Sequence, residues 1–353
     1  MPVGRRDPMP DVTPPSFTHF MPDASPTRRP TLKDLAREAG VSLASASYAV
    51  NGNGSVGEQT RAHILAVAQR IGYRQNIVAR AMKTGRSGTL ALVLPDLTNP
   101  FFPALAQAVF RAARSRGHAM FLIDTEGNEA LEAAALAKVT DLGVDGVVWF
   151  PIRDKDTSQG VLSRTPVVVL DRTIPGYATV GIDYVGAGRI AARHLLDAGH
   201  RRIGIISGPT DIASMRDRCD GAEVLIRAEG ELAFRVSNAF SVDIEPQAQV
   251  ALLRSGATAV FAAADVIAIG ALRHVQSNGL HVPHDLSILG FDDIPLAEQC
   301  LPALTTIELP AEEMAERALE LLEHQIVAAP PLSSAIVLLG TRIVGRSSVW
   351  PRG

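Results

Sequence analysis

The sequence predicts an α/β protein with a small all-α head, followed by a body of two doubly wound, mostly parallel-sheet lobes. Three observations carry this. Near Leu90 the hydrophobic rhythm changes from helical spacing to a repeated strand–helix–strand alternation. Charge divides at the same place. Residues 1–88 hold 12 Lys/Arg and 6 Asp/Glu, a net of +6, in a chain whose overall net charge is −3. Finally, 353 residues are too many for one small core.

Residues 1–30 are rich in proline and lack periodicity, so they are read as a disordered leader. The segment 31–75 is read as a helix–turn–helix domain. In "PTLKDLAREAG", Thr31 caps a helix, Asp34 suits its first turn, Leu32, Leu35, Ala36 and Ala39 share a face, and Gly40 stops it. Ser42 caps a second short helix that ends at "NGNG". A third runs from about Glu58 to Ile71 and ends at Gly72. Three short helices, the first two joined by a tight glycine turn, suit a helix–turn–helix. Most of the charge excess lies here: residues 31–88 contain 8 basic and 3 acidic residues. A basic head on an acidic body suits a chain that meets phosphate at one end only. The segment 76–88 is read as a fourth short helix, "NIVARAMK", and a Gly/Ser/Thr linker.

In the body, 89–346, apolar runs at "LALVL", "AMFLI", "GVVWF", "PVVVL", "RIGII", "AVFAA" and "LSILGF" read as strands separated by amphipathic helices. One lobe is assigned to 89–181 and 309–338, the other to 182–308 and 339–346. Ligands of open parallel sheets bind beyond the carboxyl ends of the strands. Asp96 with "TNPFF", Asp124, Phe150, Asp171–Arg172, "SGPT", Asp265 and Asp292–Asp293 all follow strands here. Carboxylates, arginines and phenyl faces together suit a polar small molecule with apolar ring faces, such as a sugar or nucleoside.

Composition narrows the function classes. No apolar run reaches the roughly 18–20 residues of a membrane span, and residues 1–30 contain no apolar signal core, so a cytoplasmic protein is expected. Cys219 and Cys300 stand far apart and outside any metal-type spacing, so neither a disulfide framework nor a metal site is expected.

The collinear pieces "TLKDLAREAGVSLASASYAVNG", "TRAHILAVAQRIGYRQNIVARAMKTGRSGTLALVLPDLTNPFF", "LGVDGVVWFP", "VVVLDR", "LLDAGHRRIGIISGP", "GALRHVQSNGLHVPHDLSILGFDDIPLA" and "LTTIELP" resemble the lactose-repressor/galactose-repressor (LacI/GalR) family of transcription regulators. The resemblance runs from about residue 31 to the C-terminus. It implies a homodimer of bodies similar to periplasmic binding proteins, each with a DNA head, on a pseudo-palindromic operator. It also implies allosteric control by a small-molecule effector, possibly a sugar, with no cofactor. By position, Leu43, Ala44 and Tyr48 match base-reading residues, and Ser45, Ser47 and Asn51 match phosphate-contacting or positioning residues. Residues 43, 44, 47 and 48 share one helix face, and short side chains let a helix sit deep in the major groove. Thr31 and Asn76 are included among the DNA contacts. "NIVARAMK" resembles the family's hinge helix, with Met82 where the family has a minor-groove wedge and Arg80 and Lys83 toward phosphate. In the cleft the resemblance assigns Asn99, Phe101, Phe102, Asp171, Arg172, Arg218, Asp292 and the Ala264 position to the effector.

The chain departs from the family pattern in places. Ala264 replaces an Asn, Ala222 stands where a large aromatic is expected, and Leu309 replaces a polar residue. In the head, Gly57 replaces a Ser cap and Ala46 a Val.

Two other readings use the same α/β body: a solute-binding protein and an NAD-dependent oxidoreductase. The first is opposed by the basic head and the lack of a signal core. The second rests on "VGAGRIA", with Gly186 and Gly188, but no adequate strand is read before it and no acid follows at the required distance. "HVPH" (281–284) reads as a surface turn rather than a metal site. With no nucleophile elbow, HExxH or P-loop, no catalytic residue is expected.

Overall fold

The computed structural model describes residues 30–51, 54–74, 85–327 and 335–352. The leader up to residue 29 lies outside the described residues, as does the segment 75–84, with its four expected DNA contacts Asn76, Arg80, Met82 and Lys83. The chain divides into two compact units, Met1–Ala79 and Arg80–Gly353.

In the first unit, α1 (Leu32–Glu38), α2 (Leu43–Asn51) and α3 (Glu58–Arg70) form the helical head. Thr31 opens α1 with a reciprocal capping box: its Oγ1 accepts the Asp34 N–H at 3.3 Å, and the Asp34 carboxylate accepts the Thr31 N–H at 2.9 Å. Ser42 Oγ accepts the Ser45 N–H at 3.0 Å and starts α2. Gly57 offers α3 no side-chain cap. The core is small: Leu35, Ala46, Ala49, Ile64 and Val67 are buried, with Leu32, Val41 and Val50 partly buried around them.

The second unit contains two six-stranded sheets. Lobe one has the order β11-β5-β4-β3-β1-β2, all parallel, from β1 (Thr89–Leu94), β2 (Ala119–Asp124), β3 (Gly146–Trp149), β4 (Val167–Leu170), β5 (Ala178–Ile182) and β11 (Ile336–Leu339). Lobe two has the order β12-β10-β9-β8-β6-β7, from β6 (Arg202–Ser207), β7 (Glu231–Ser237), β8 (Ala259–Ala262), β9 (Ser287–Asp292), β10 (Thr305–Glu308) and β12 (Arg342–Val344). Only β12 runs antiparallel there. Central strands such as "VVVL" and "AVFA" are buried along their whole length because helices cover both faces. Lobe one carries α4 (Phe101–Ser115), α5 (Glu129–Asp141) and α11 (Ala311–Val327). Lobe two carries α6 (Tyr184–Asp197), α7 (Ala213–Glu229), α8 (Pro246–Arg254), α9 (Asp265–Ser277) and the short α10 (Pro295–Gln299). The chain crosses between lobes after β5, β10 and β11.

Five strands escaped the sequence reading. β7 is an edge strand that mixes charged and apolar residues, β5 contains Gly181, and β10, β11 and β12 are only three or four residues long. Consequently a strand does precede "VGAGRIA": β5 ends two residues before Tyr184.

Lobe two also continues past residue 346. Ser348 Oγ donates to the Ile288 carbonyl at 2.5 Å and accepts the Thr305 N–H at 2.8 Å. His200 hydrogen-bonds the Trp350 carbonyl at 3.1 Å, and burial lowers its pKa to about 4, so it holds this segment as a neutral ring. No described helix is long and apolar enough to cross a membrane.

Candidate functional site

Each sheet reverses its strand order once, at β1/β3 in lobe one and at β6/β8 in lobe two. A parallel sheet opens a crevice at such a point, beyond its carboxyl edge. The loops after β1, β3 and β6 meet there around a cavity of about 210 Å³. Lobe one lines it with Asn99, Phe101, Phe102, Phe150, Asp171 and Arg172, and lobe two with Tyr184, Ser214, Met215, Arg218, Phe240 and Asp292.

The lobe-one wall is aromatic. Phe102 stands edge-on to Phe101 at 5.3 Å and to Phe150 at 5.0 Å between centroids. Arg172 lies over Phe150 at 5.1 Å, pairs with Asp171 and donates to Ser214 Oγ at 3.0 Å. Its guanidinium is buried, which holds its pKa below the ordinary value, and its Nε has no hydrogen-bond partner among the described residues. Tyr184 OH donates to the other Asp171 oxygen.

Arg218 is the centre of the lobe-two wall. It is 2% exposed and lies between the rings of Tyr184, at 4.4 Å, and Phe291, at 3.8 Å. Its Nε donates to the Ser214 carbonyl at 3.1 Å and its Nη1 to the Ala263 carbonyl at 2.7 Å; Nη1 also lies 3.6 Å from Asp292 Oδ1. Burial pushes the Asp292 carboxyl up to about 7, against the opposing pull of Arg218 and a hydrogen bond from the Asp265 backbone. Asp171 and Asp292 both hold positive φ, +68° and +116°, a strained geometry for residues other than glycine.

The β3 loop joins the lobes across the mouth of the cavity. Asp154 Oδ2 accepts the Ala213 N–H at 2.9 Å, capping α7, which has no cap of its own. Arg153 pairs with Glu129 on α5 at 3.0 Å and with Asp211 of lobe two. The buried Glu132 fixes this loop by accepting from Trp149 Nε1 at 3.1 Å, the Ile152 N–H at 2.9 Å and Thr157 Oγ1 at 2.5 Å. A carboxylate with three donors is well satisfied inside a protein.

Of the eight residues assigned to the cleft, seven line the cavity. Ala264 does not. It is buried at the start of α9, and its methyl group joins the hydrophobic core. Ala222 is likewise buried away from the cavity. An aromatic side chain lines the cavity from another element, Phe240, which follows β7 and rests against Gly208. Leu309 lines the cavity as an apolar residue. Tyr184 and Phe240 were missed because each follows a strand that the alternation did not reveal. Gly186 and Gly188 serve packing: a Cβ would meet the Asp183 carboxylate at 2.3 Å or the Arg218 carbonyl at 1.9 Å. The second glycine lets α6 and α7 touch, and no phosphate cradle results.

In the head, α2 divides as its sequence suggested. Ala46 and Ala49 are buried, whereas Leu43, at 46%, and Tyr48, at 47%, are exposed beside Ala44. Ser45 and Ser47 are half-buried, and the Asn51 amide donates to the Ser47 carbonyl at 2.6 Å. Thr31 Oγ1 is engaged by Asp34, at 2.7 Å.

Comparison with known proteins gives consistent matches for both units. Residues 31–76 match the model of bacterial regulatory proteins of the lacI family, and residues 192–349 match a periplasmic binding protein-like domain. The ribose operon repressor of Bacillus subtilis (strain 168) is 33% identical over 324 residues, covering 90% of this chain and 98% of its own. A LacI family transcriptional regulator from Enterococcus faecium, solved with bound ribose, has a TM-score of 0.66 at 28% identity, covering 75% of this chain and 100% of that one. The lac repressor dimer bound to operator and the anti-inducer ONPF has a TM-score of 0.79 at 22% identity, covering 92% of this chain and 100% of that one, a likeness of fold.

Proposed function

The chain belongs to the lacI family of bacterial regulatory proteins, and from that premise we propose that it represses transcription under the control of a small, neutral, hydroxyl-bearing effector. The α2 face of Leu43, Ala44 and Tyr48 reads base edges in the major groove, with Ser45, Ser47, Asn51 and Thr31 toward the backbone. Asn76, Arg80, Met82 and Lys83 supply the hinge contacts. Two heads of a homodimer engage an inverted repeat in the cytoplasm. The protein acts by binding and not by catalysis.

The observation that carries the effector class is that the cavity's arginines are already paired. Arg172 has Asp171, Arg218 has Asp292, and Arg153 has Asp211 and Glu129. An anionic ligand would compete with these carboxylates and gain no free cation. A neutral polyol gains donors from Arg172 Nε and Asn99, acceptors from Asp171 and Asp292, and ring faces from Phe101, Phe102 and Phe240. The bound ribose of the Enterococcus faecium relative makes pentoses the first candidates. Calorimetry with a panel of neutral monosaccharides and their phosphate esters tests this. At least one neutral sugar is expected to bind about tenfold or more tightly than its own ester, whereas tighter binding of the esters would refute the assignment.

Ligand held between the lobes changes their relative orientation through the α7 contacts. A coupling of about 1–3 kcal/mol between cleft and operator suffices for a useful switch.

A further inference from the structure

Tyr48 is the only large polar side chain on the exposed face of α2, and the structure shows what holds it. Gly54, just beyond the helix, has φ +85°, and a Cβ built there would stand 2.6 Å from Tyr48 Cγ, 2.8 Å from Cδ1 and 3.0 Å from Cδ2. The tyrosine ring therefore lies directly on the bare α-carbon of Gly54. Its 47% exposure shows that this contact leaves about half of the side chain accessible. A tyrosine on an open helix face otherwise moves among staggered rotamers and carries its hydroxyl to several different places. A hydroxyl that recognises one base edge needs a single direction, because hydrogen bonds weaken steeply with angle.

We propose that Gly54 is a positioning residue for sequence recognition: the missing side chain forms the seat that aims the Tyr48 ring and hydroxyl at its base. This rests on the reading of α2 as the base-reading helix. Any Cβ at position 54 displaces the ring, which is a movable side chain, so recognition changes while the head can still fold. Ala at this φ also strains the backbone, whereas Asn tolerates the left-handed region better while still placing a Cβ under the ring. The two substitutions thus share the displacement and differ in strain.

The test is a position-resolved base-preference profile of the full chain on a duplex pool, for wild type, Gly54→Ala, Gly54→Asn, Tyr48→Ala and the Tyr48→Ala/Gly54→Ala double variant. Both Gly54 variants are expected to lose about tenfold discrimination at the base positions that Tyr48→Ala flattens, and at no others. In the Tyr48→Ala background, Gly54→Ala is expected to change nothing further. A uniform loss on every sequence, or a Gly54 effect that persists without Tyr48, would overturn the proposal and leave the glycine a purely structural role. If Tyr48→Ala itself leaves the profile unchanged, the assignment of Tyr48 as a reader falls, and the proposal with it. A flattened Tyr48→Ala profile beside unchanged Gly54 profiles would overturn the proposal alone.

Discussion

Replacing Arg218 with methionine is expected to weaken binding of the best neutral sugar by about a hundredfold or more, with operator affinity held within about threefold. The size of this effect comes from the side chain's position. Arg218 is buried between two aromatic rings, donates to the carbonyls of Ser214 on α7 and of Ala263 just after β8, and offsets the charge of Asp292. Removing one member of a buried ion pair commonly costs about 3–5 kcal/mol, because the partner is left charged in a dry site. Here the cost is moderated, since burial already raises the Asp292 pKa and favours its neutral form once the opposing pull of Arg218 is gone. Methionine keeps apolar volume between the rings. Thermal melts establish folding, calorimetry measures sugar affinity, and operator titrations with and without sugar measure the response. An undiminished response would place the effector elsewhere.

The second large effect is expected in the head. Leu35 is fully buried at the meeting of the three helices, against Ile64 and two alanines of α2. Leu→Ala in a packed core costs about 2–5 kcal/mol. A domain this small has a total stability of that order, so Leu35→Ala should unfold it. Binding to every duplex, specific or not, should then fall by at least about a hundredfold, while sugar affinity of the body stays unchanged. Parallel DNA-anisotropy and calorimetric titrations check both halves. Loss of sugar binding as well would contradict the division into two units.

The legible parts of the molecule were those that local physics dictates. The α2 face could be read because Ala46 and Ala49 recur at helical spacing opposite Leu43 and Tyr48, and the short side chains leave the exposed face narrow. Strand-end residues such as Asn99, Asp171 and Asp292 were located because central parallel strands are continuous apolar runs whose ends are sharp. What remained hidden depended on distant partners. Phe240 enters the cavity only because β7 takes an edge position, and edge strands lose the apolar signature. Asp154 caps a helix of the other lobe, and no spacing rule links residue 154 to residue 213. Ala264 is the reverse case: its matching position suggests a ligand contact, while its methyl group at the start of α9 joins the core. The seat under Tyr48 was also invisible, since a glycine in "NGNG" reads first as a turn.

The central claim is that this chain recognises a particular DNA sequence through its head. The most direct measurement is selection of bound duplexes from a random pool by the purified full chain at moderate salt. An enriched inverted repeat is expected, with affinity that falls steeply as salt rises because phosphate contacts dominate binding strength. Equal recovery of all sequences, or no retained duplex even at low salt, would contradict the account.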